Sequence, residues 1–283
     1  MTERRPEPGT EEGWRVIDAG VRSARARLGD GLLSAYAIGS LAHGGFATAV
    51  SDVDLALLTD RRPGRDMGAV VAAITADLQA AGLALCDRLS VFHAPWEGFA
   101  DPSPEARFPP IDRYDLVRYG VLVDGADLRD AHATAPSAEE IRAQAVQSAL
   151  RRVTPEALAA ELRALADDGV SVHDATKLVL WPVRLQHVCD AGEATGNLAA
   201  VDHYLGLPDA RHPRLVADAL AWRELSALPD PPAALRRITT EIHDLHVEVL
   251  ERVSRLPEVP WRDEVVRRAQ QLAAGQAAPT NMP

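Results

Sequence analysis

Apolar and polar positions follow two different periods along the 283-residue chain. In residues 12–28, Trp14, Ile17, Val21 and Leu28 recur at near-helical spacing, which predicts a helix. Gly29-Asp30-Gly31 ends it. Residues 32–38 and 52–58 are short apolar runs with the length and flanks of strands. Residues 66–80 are alanine-rich and predict a helix closed by Gly82, and residues 83–92 predict a third strand. Residues 93–110 hold several prolines and predict a loop. Residues 111–119 are ambiguous. A short apolar run at 120–123 precedes the turn pair Asp124-Gly125. Beyond about residue 133 helical spacing takes over, with helices expected at 138–153, 155–167, 172–189, 199–204, 213–225 and 232–256. No strand signal and no fixed-period repeat occurs there. Pro182, inside the third of these helices, predicts a kink. The pattern predicts a mixed α/β domain over 13–133 and an all-α domain over 134–273. Residues 1–12 form a disordered lead and 274–283 a disordered tail.

Composition narrows the class of protein. The chain is 47% hydrophobic and 25% charged, with a formal net charge of -11. An acidic chain of this kind argues against a grip on long nucleic acid and suits a cationic small substrate. No apolar run approaches the ~20 residues of a membrane span, and the polar N-terminus carries no signal segment. The two cysteines, Cys86 and Cys189, sit in apolar surroundings and read as buried free thiols of a cytoplasmic protein.

The stretch from Tyr36 to Leu58 carries the chemistry. A strand ends in Gly39-Ser40, a glycine-rich segment follows, and the next strand carries Asp52 and Asp54. Alternate side chains on a strand share a face. The two carboxylates therefore point one way, while Val53 and Leu55 point into the core. Two such charges between apolar neighbours call for a cation, and magnesium takes carboxylate and phosphate oxygens together. The Gly39-Ser40 turn offers backbone N–H groups to phosphate. The competing reading is a strand, a loop and a strand with two surface aspartates.

Ile38-Gly39-Ser40, a spacer and Asp52-Val53-Asp54-Leu55 resemble the signature of the DNA polymerase beta superfamily of nucleotidyltransferases. The helical half resembles the C-terminal domain of the aminoglycoside adenylyltransferases that modify streptomycin and spectinomycin. The residues that carry this second resemblance are Arg184, the Ala-Gly-Glu-Ala-Thr-Gly segment and the helix ending in His203-Tyr204. The fold implied is an α/β nucleotidyltransferase domain with a mixed sheet, followed by a helical domain. The activity implied is magnesium-dependent transfer of AMP from ATP to a hydroxyl of a small polar, aminoglycoside-like acceptor, hence antibiotic resistance. Asp52 and Asp54 would hold two magnesium ions, and Gly39 and Ser40 the outer phosphates.

Such transfer needs a further acid to accept the hydroxyl proton, which the superfamily places on a neighbouring strand. Asp87 is the candidate, and its competing reading is a solvated strand edge. Counting back from Arg184, Asp174 matches the acid that holds the cationic antibiotic in a cleft. It could equally serve its own helix N-terminus. The family's lysine after the Thr-Gly turn is missing here. Lys177, the only lysine in the chain, stands as an alternative phosphate contact or as an ordinary surface residue.

Other residues carry weaker signals. His43 sits where it could touch phosphate or be solvated. His243 and His246 have metal-ligand spacing but read as a late surface helix face. His187 and Cys189 face different sides of a helix. Trp14, Trp181 and Trp222 read as core, whereas Trp96 and Phe108 would line the cleft. Two rival functions use the same signature: an antitoxin-like enzyme that modifies protein, and a binding protein of this fold without turnover.

Overall fold

The structure, a computed structural model, describes residues 9–61, 66–99, 107–129, 135–167 and 169–276. The chain divides into two compact units, residues 1–136 and 137–283.

The first unit is built on a four-stranded sheet. Helix α1 (Glu11–Leu28) leads into β1 (Leu32–Ile38), and the short α2 (Ser40–His43) is followed by β2 (Val53–Thr59). Helix α3 (Met67–Ala80) precedes β3 (Leu89–Pro95), and α4 (Pro110–Tyr119) precedes β4 (Val121–Gly125). The strand order is β3-β2-β1-β4. Strand β1 runs antiparallel to both β2 and β4, whereas β2 and β3 are parallel. The parallel pair follows from the intervening α3, a crossover that brings the chain back in the same sense.

Alternation along β2 divides the core in two. Val53, Leu55 and Leu57 pack with Val16, Ile17 and Ile74 on one face. Ala56 and Leu58 pack with Tyr36, Ile38, Phe99, Phe108 and Leu116 on the other. Asp54 belongs to the second set by alternation, at the end of the strand where the apolar layer stops.

Several expectations change in this unit. Strand β3 begins at Leu89, not at residue 83. Gly82 and Leu85 both take positive φ, and Cys86–Arg88 forms a 3-10 turn, so an extended strand starts only beyond them. It continues through Pro95, opposite Thr59, into the segment read as loop. Residues 100–106 of that segment lie outside the described residues. The undecided stretch 111–119 is helical, with Pro110 in its first turn, where a missing N–H costs nothing. Helix α1 begins at Glu11, inside the segment read as disordered, and residues 1–8 lie outside the described residues.

Every described element of the second unit is a helix. It contains α5 (Ala138–Arg152), α6 (Pro155–Asp167), α7 (Val172–Ala191), α8 (Asn197–Leu205), α9 (Pro213–Trp222), α10 (Pro231–Arg255) and α11 (Arg262–Gln276). Ser137 and Glu140 form a capping box that starts α5. Helix α7 runs through Pro182 as a continuous helix. Helix α11 was not anticipated, although Val265, Ala269 and Leu272 bury one stripe at helical spacing. Residues 274–276 of the tail belong to it, and 277–283 lie outside the described residues. No described helix is long and apolar enough to cross a membrane.

Candidate active site

Gly39 is the tightest point of the motif. It lies directly after β1 with φ +68, a conformation that favours glycine. A Cβ placed on it would collide with Asp54 Oδ2, so the Asp54 carboxylate lies against the bare α-carbon. Asp54 stands opposite Ile38 on β1 and Ser90 on β3. The Gly39 N–H donates to Asp115 Oδ2 from α4. This corrects one expectation: that N–H is engaged by a carboxylate and is not open to phosphate. Ser40 opens α2, where the N–H groups of Ala42 and His43 already donate to the Gly39 carbonyl at 2.9 and 3.1 Å.

Asp115 was missed in the sequence because α4 itself was undecided. It is 9% exposed, and its Oδ1 lies 3.9 Å from His43 Nε2. His43 is not solvated. Its Nδ1 lies 3.1 Å from the Gly44 carbonyl oxygen, and its ring meets Tyr119 edge-on at 5.8 Å.

Asp52 sits one residue ahead of β2 and is exposed. Its loop is fastened from β3's side, where Arg88 donates to the carbonyls of Thr48 at 2.7 Å and Ser51 at 3.2 Å. The Ala47 N–H closes the loop on Ser51 Oγ at 2.9 Å. Alternation from Asp54 directs Asp52 to the same side. Two hard oxygen donors two positions apart suit magnesium. Asp87 is exposed in the 3-10 turn before β3, three positions ahead of Ser90, the register partner of Asp54. Among the described residues no group of three or more His, Cys, Asp or Glu is placed to hold a metal, so Asp87 is not gathered with the aspartate pair.

In the second unit, Ser171 caps α7. Its Oγ accepts from the Asp174 N–H at 3.0 Å and donates to Asp174 Oδ2 at 2.6 Å. His173 Nδ1 lies 3.0 Å from Asp174 Oδ1. These contacts, with Lys177 nearby, hold the Asp174 carboxyl below the usual carboxylate range, the Ser171 hydroxyl contributing most. Asp174 thus performs the helix-end role weighed against binding. It also lines, with Lys177, a pocket of about 250 Å³ where α5, α6, α7 and α10 meet. Arg152, Glu161, Trp181 and His246 complete its polar lining. Trp181 is therefore a half-buried pocket residue rather than core. His246 is 4% exposed, so it does not lie on a surface face. Burial pushes its imidazole down to about 3.

The remaining candidates serve packing. Trp96 stacks on Phe99 at 5.6 Å, and Phe99 meets Phe108 at 5.3 Å, so both expected cleft residues belong to the apolar layer. Cys189 is a buried free thiol pushed up to about 12 by burial, while Cys86 is only half-buried. His187 meets the His203 ring at 5.1 Å.

No family model matches the chain, and no curated protein matches it. Among solved structures, the chain is similar to the spectinomycin adenyltransferase AAD(9) from Enterococcus faecialis, solved with ATP and spectinomycin. The two share 13% identity at a TM-score of 0.54, over 81% of this chain and 98% of that one. A likeness at that identity speaks for the fold, which is therefore nucleotidyltransferase-like: a mixed four-stranded sheet accompanied by many helices.

Proposed function

We propose that the protein transfers AMP from ATP to a hydroxyl of a small polar, aminoglycoside-like acceptor. The observation that carries this reading is the Asp54 carboxylate set against the bare α-carbon of Gly39, with Ser40 next in the turn and Asp52 two positions before Asp54. The fold's likeness to an ATP-using adenylyltransferase supports it.

In this reading Asp52 and Asp54 hold magnesium. Magnesium held there would supply compensation for triphosphate charge and for charge developing at the phosphorus. The Ser40 hydroxyl and the N–H groups of Ser40 and Leu41 receive the outer phosphates, while Asp115 locks the Gly39 peptide that sets the turn. Lys177 is the proposed phosphate-binding cation of the chain, and Asp174 the proposed acid for a cationic acceptor. Asp87 takes the proton from the acceptor hydroxyl. The oxygen then attacks the α-phosphorus, the bond to the bridging oxygen breaks, and pyrophosphate leaves. Catalysis rests on positioning and charge compensation.

The test is incubation of the full chain with α-labelled ATP, magnesium, and either spectinomycin, streptomycin or purified protein. The expected result is one labelled small-molecule acceptor per pyrophosphate released. Label on protein would replace the acceptor class, and no label on any acceptor would overturn the reading.

A further inference from the structure

A cluster of titratable groups lies within the helical unit, where the last turns of α7 meet α8. Asp190, near the end of α7, holds two side chains on one oxygen. The His203 ring, from α8, meets Asp190 Oδ2 through Nε2 at 2.7 Å. The Gln186 amide donates to the same oxygen at 2.7 Å. A carboxylate only accepts, so His203 Nε2 carries the ring hydrogen and Nδ1 the lone pair. A carboxylate on the far nitrogen is the partner that orients a metal-ligating histidine.

His187, three positions before Asp190, faces the same ring. The two ring centroids are 5.1 Å apart, with planes at 82°. Imidazoles that share one tetrahedral ion at ~2.0–2.1 Å bring their centroids to about 5 Å. Each ring has a nitrogen to spare. His187 Nδ1 is buried. His187 Nε2 and His203 Nδ1 are not, and neither makes a hydrogen bond among the described residues. The His203 side chain is 31% exposed, so an ion has a way in. Burial and the neighbouring His203 hold His187 below the ordinary histidine value. That keeps the ring neutral, as a metal ligand must be. Glu193 and Asp190 pull His187 the other way, so two carboxylates stand close enough to favour a cation here.

We propose that His187 Nε2 and His203 Nδ1 together bind one divalent first-row metal ion such as zinc, with Asp190 orienting His203. No third His, Cys, Asp or Glu joins them among the described residues, so water fills the remaining positions. Imidazole nitrogens suit zinc, nickel or copper, whereas magnesium takes oxygen. The site therefore differs in chemistry from the Asp52 and Asp54 pair. A bound ion ties the end of α7 to α8 across the turn between them. The inference stands apart from nucleotide transfer and does not rest on it.

The test is calorimetric titration of the full chain, free of any affinity tag, with zinc chloride in excess magnesium. One zinc ion per chain should bind, and the melting temperature should rise on saturation. His187→Gln, His203→Gln and Asp190→Asn should each weaken zinc binding at least about tenfold. Asp54→Asn should leave it unchanged. The ring-nitrogen resonances of the unmodified chain give a test that needs no variant to fold. Those of His187 Nε2 and His203 Nδ1 should both move on saturation with zinc. No zinc binding in excess magnesium overturns the proposal. So do unchanged affinity in any of the first three variants, loss of the ion in Asp54→Asn, and ring resonances that stay in place.

Discussion

Asp115 accepts the backbone N–H of Gly39, fixing the peptide on which the whole motif turns. The donor belongs to the loop after β1 and the acceptor to α4, 76 residues later. Asp115 is buried, and a second acid, Asp54, lies against the α-carbon of the same glycine. Removing the acceptor in Asp115→Ala leaves a buried N–H unpaired. A cost of about 1–3 kcal/mol is expected in urea unfolding, with a larger fractional loss of nucleotide transfer than the unfolded fraction explains. Asp115→Asn keeps an acceptor oxygen and should restore most of the stability.

Gly39→Ala combines two faults, a positive φ and a collision with the Asp54 carboxylate. About 1–3 kcal/mol of stability should be lost. The displaced Asp54 should also raise the magnesium concentration needed for half-maximal activity. A variant with unchanged magnesium dependence would separate Gly39 from the metal pair.

Asp52→Asn and Asp54→Asn should each abolish magnesium-dependent transfer, by about a thousandfold if the ion contributes several kcal/mol. Circular dichroism should show an intact fold. Removing one of two neighbouring negative charges should leave metal-free stability unchanged or raised. Full activity in either folded variant would remove the pair from the chemistry.

Arg88→Ala should free the loop before Asp52, since two of that loop's carbonyls lose their donor. Protease cleavage within residues 44–51 should accelerate, and transfer should fall while the melting temperature moves little. Arg88→Lys cannot reach both carbonyls with a planar fork and should rescue only in part.

Stability should fall with acid in a way that depends on His246. Its folded value of about 3 lies below the ordinary 6.5, so the unfolded chain binds the extra proton. The stability that neutral His246 contributes is complete above 6.5. It is lost as the pH falls from there toward 3, by up to about 1.4 kcal/mol per pH unit. Urea unfolding between pH 7.5 and 5 checks this, and His246→Phe should flatten that slope. His93, His187 and His243 are also lowered by burial, so some slope remains.

The order of elements could be read from the sequence because periodicity is local. Strand β1 and helix α6 fall at their expected bounds, and α3 begins one residue after its Asp66 cap. The Gly-Ser turn and the paired aspartates announced themselves because their spacing is short and their chemistry specific. What the sequence could not decide depends on partners far along the chain. Asp115 became a site residue only when α4 packed beside β1. Arg88 acquired its role from a loop 37 residues earlier. Trp181 and His246, 65 positions apart, meet only when α7 lies against α10. Local spacing sets which face a residue takes on its own helix or strand. Packing sets what that face meets, and the pocket, the buried histidine and the engaged Gly39 N–H all belong to packing.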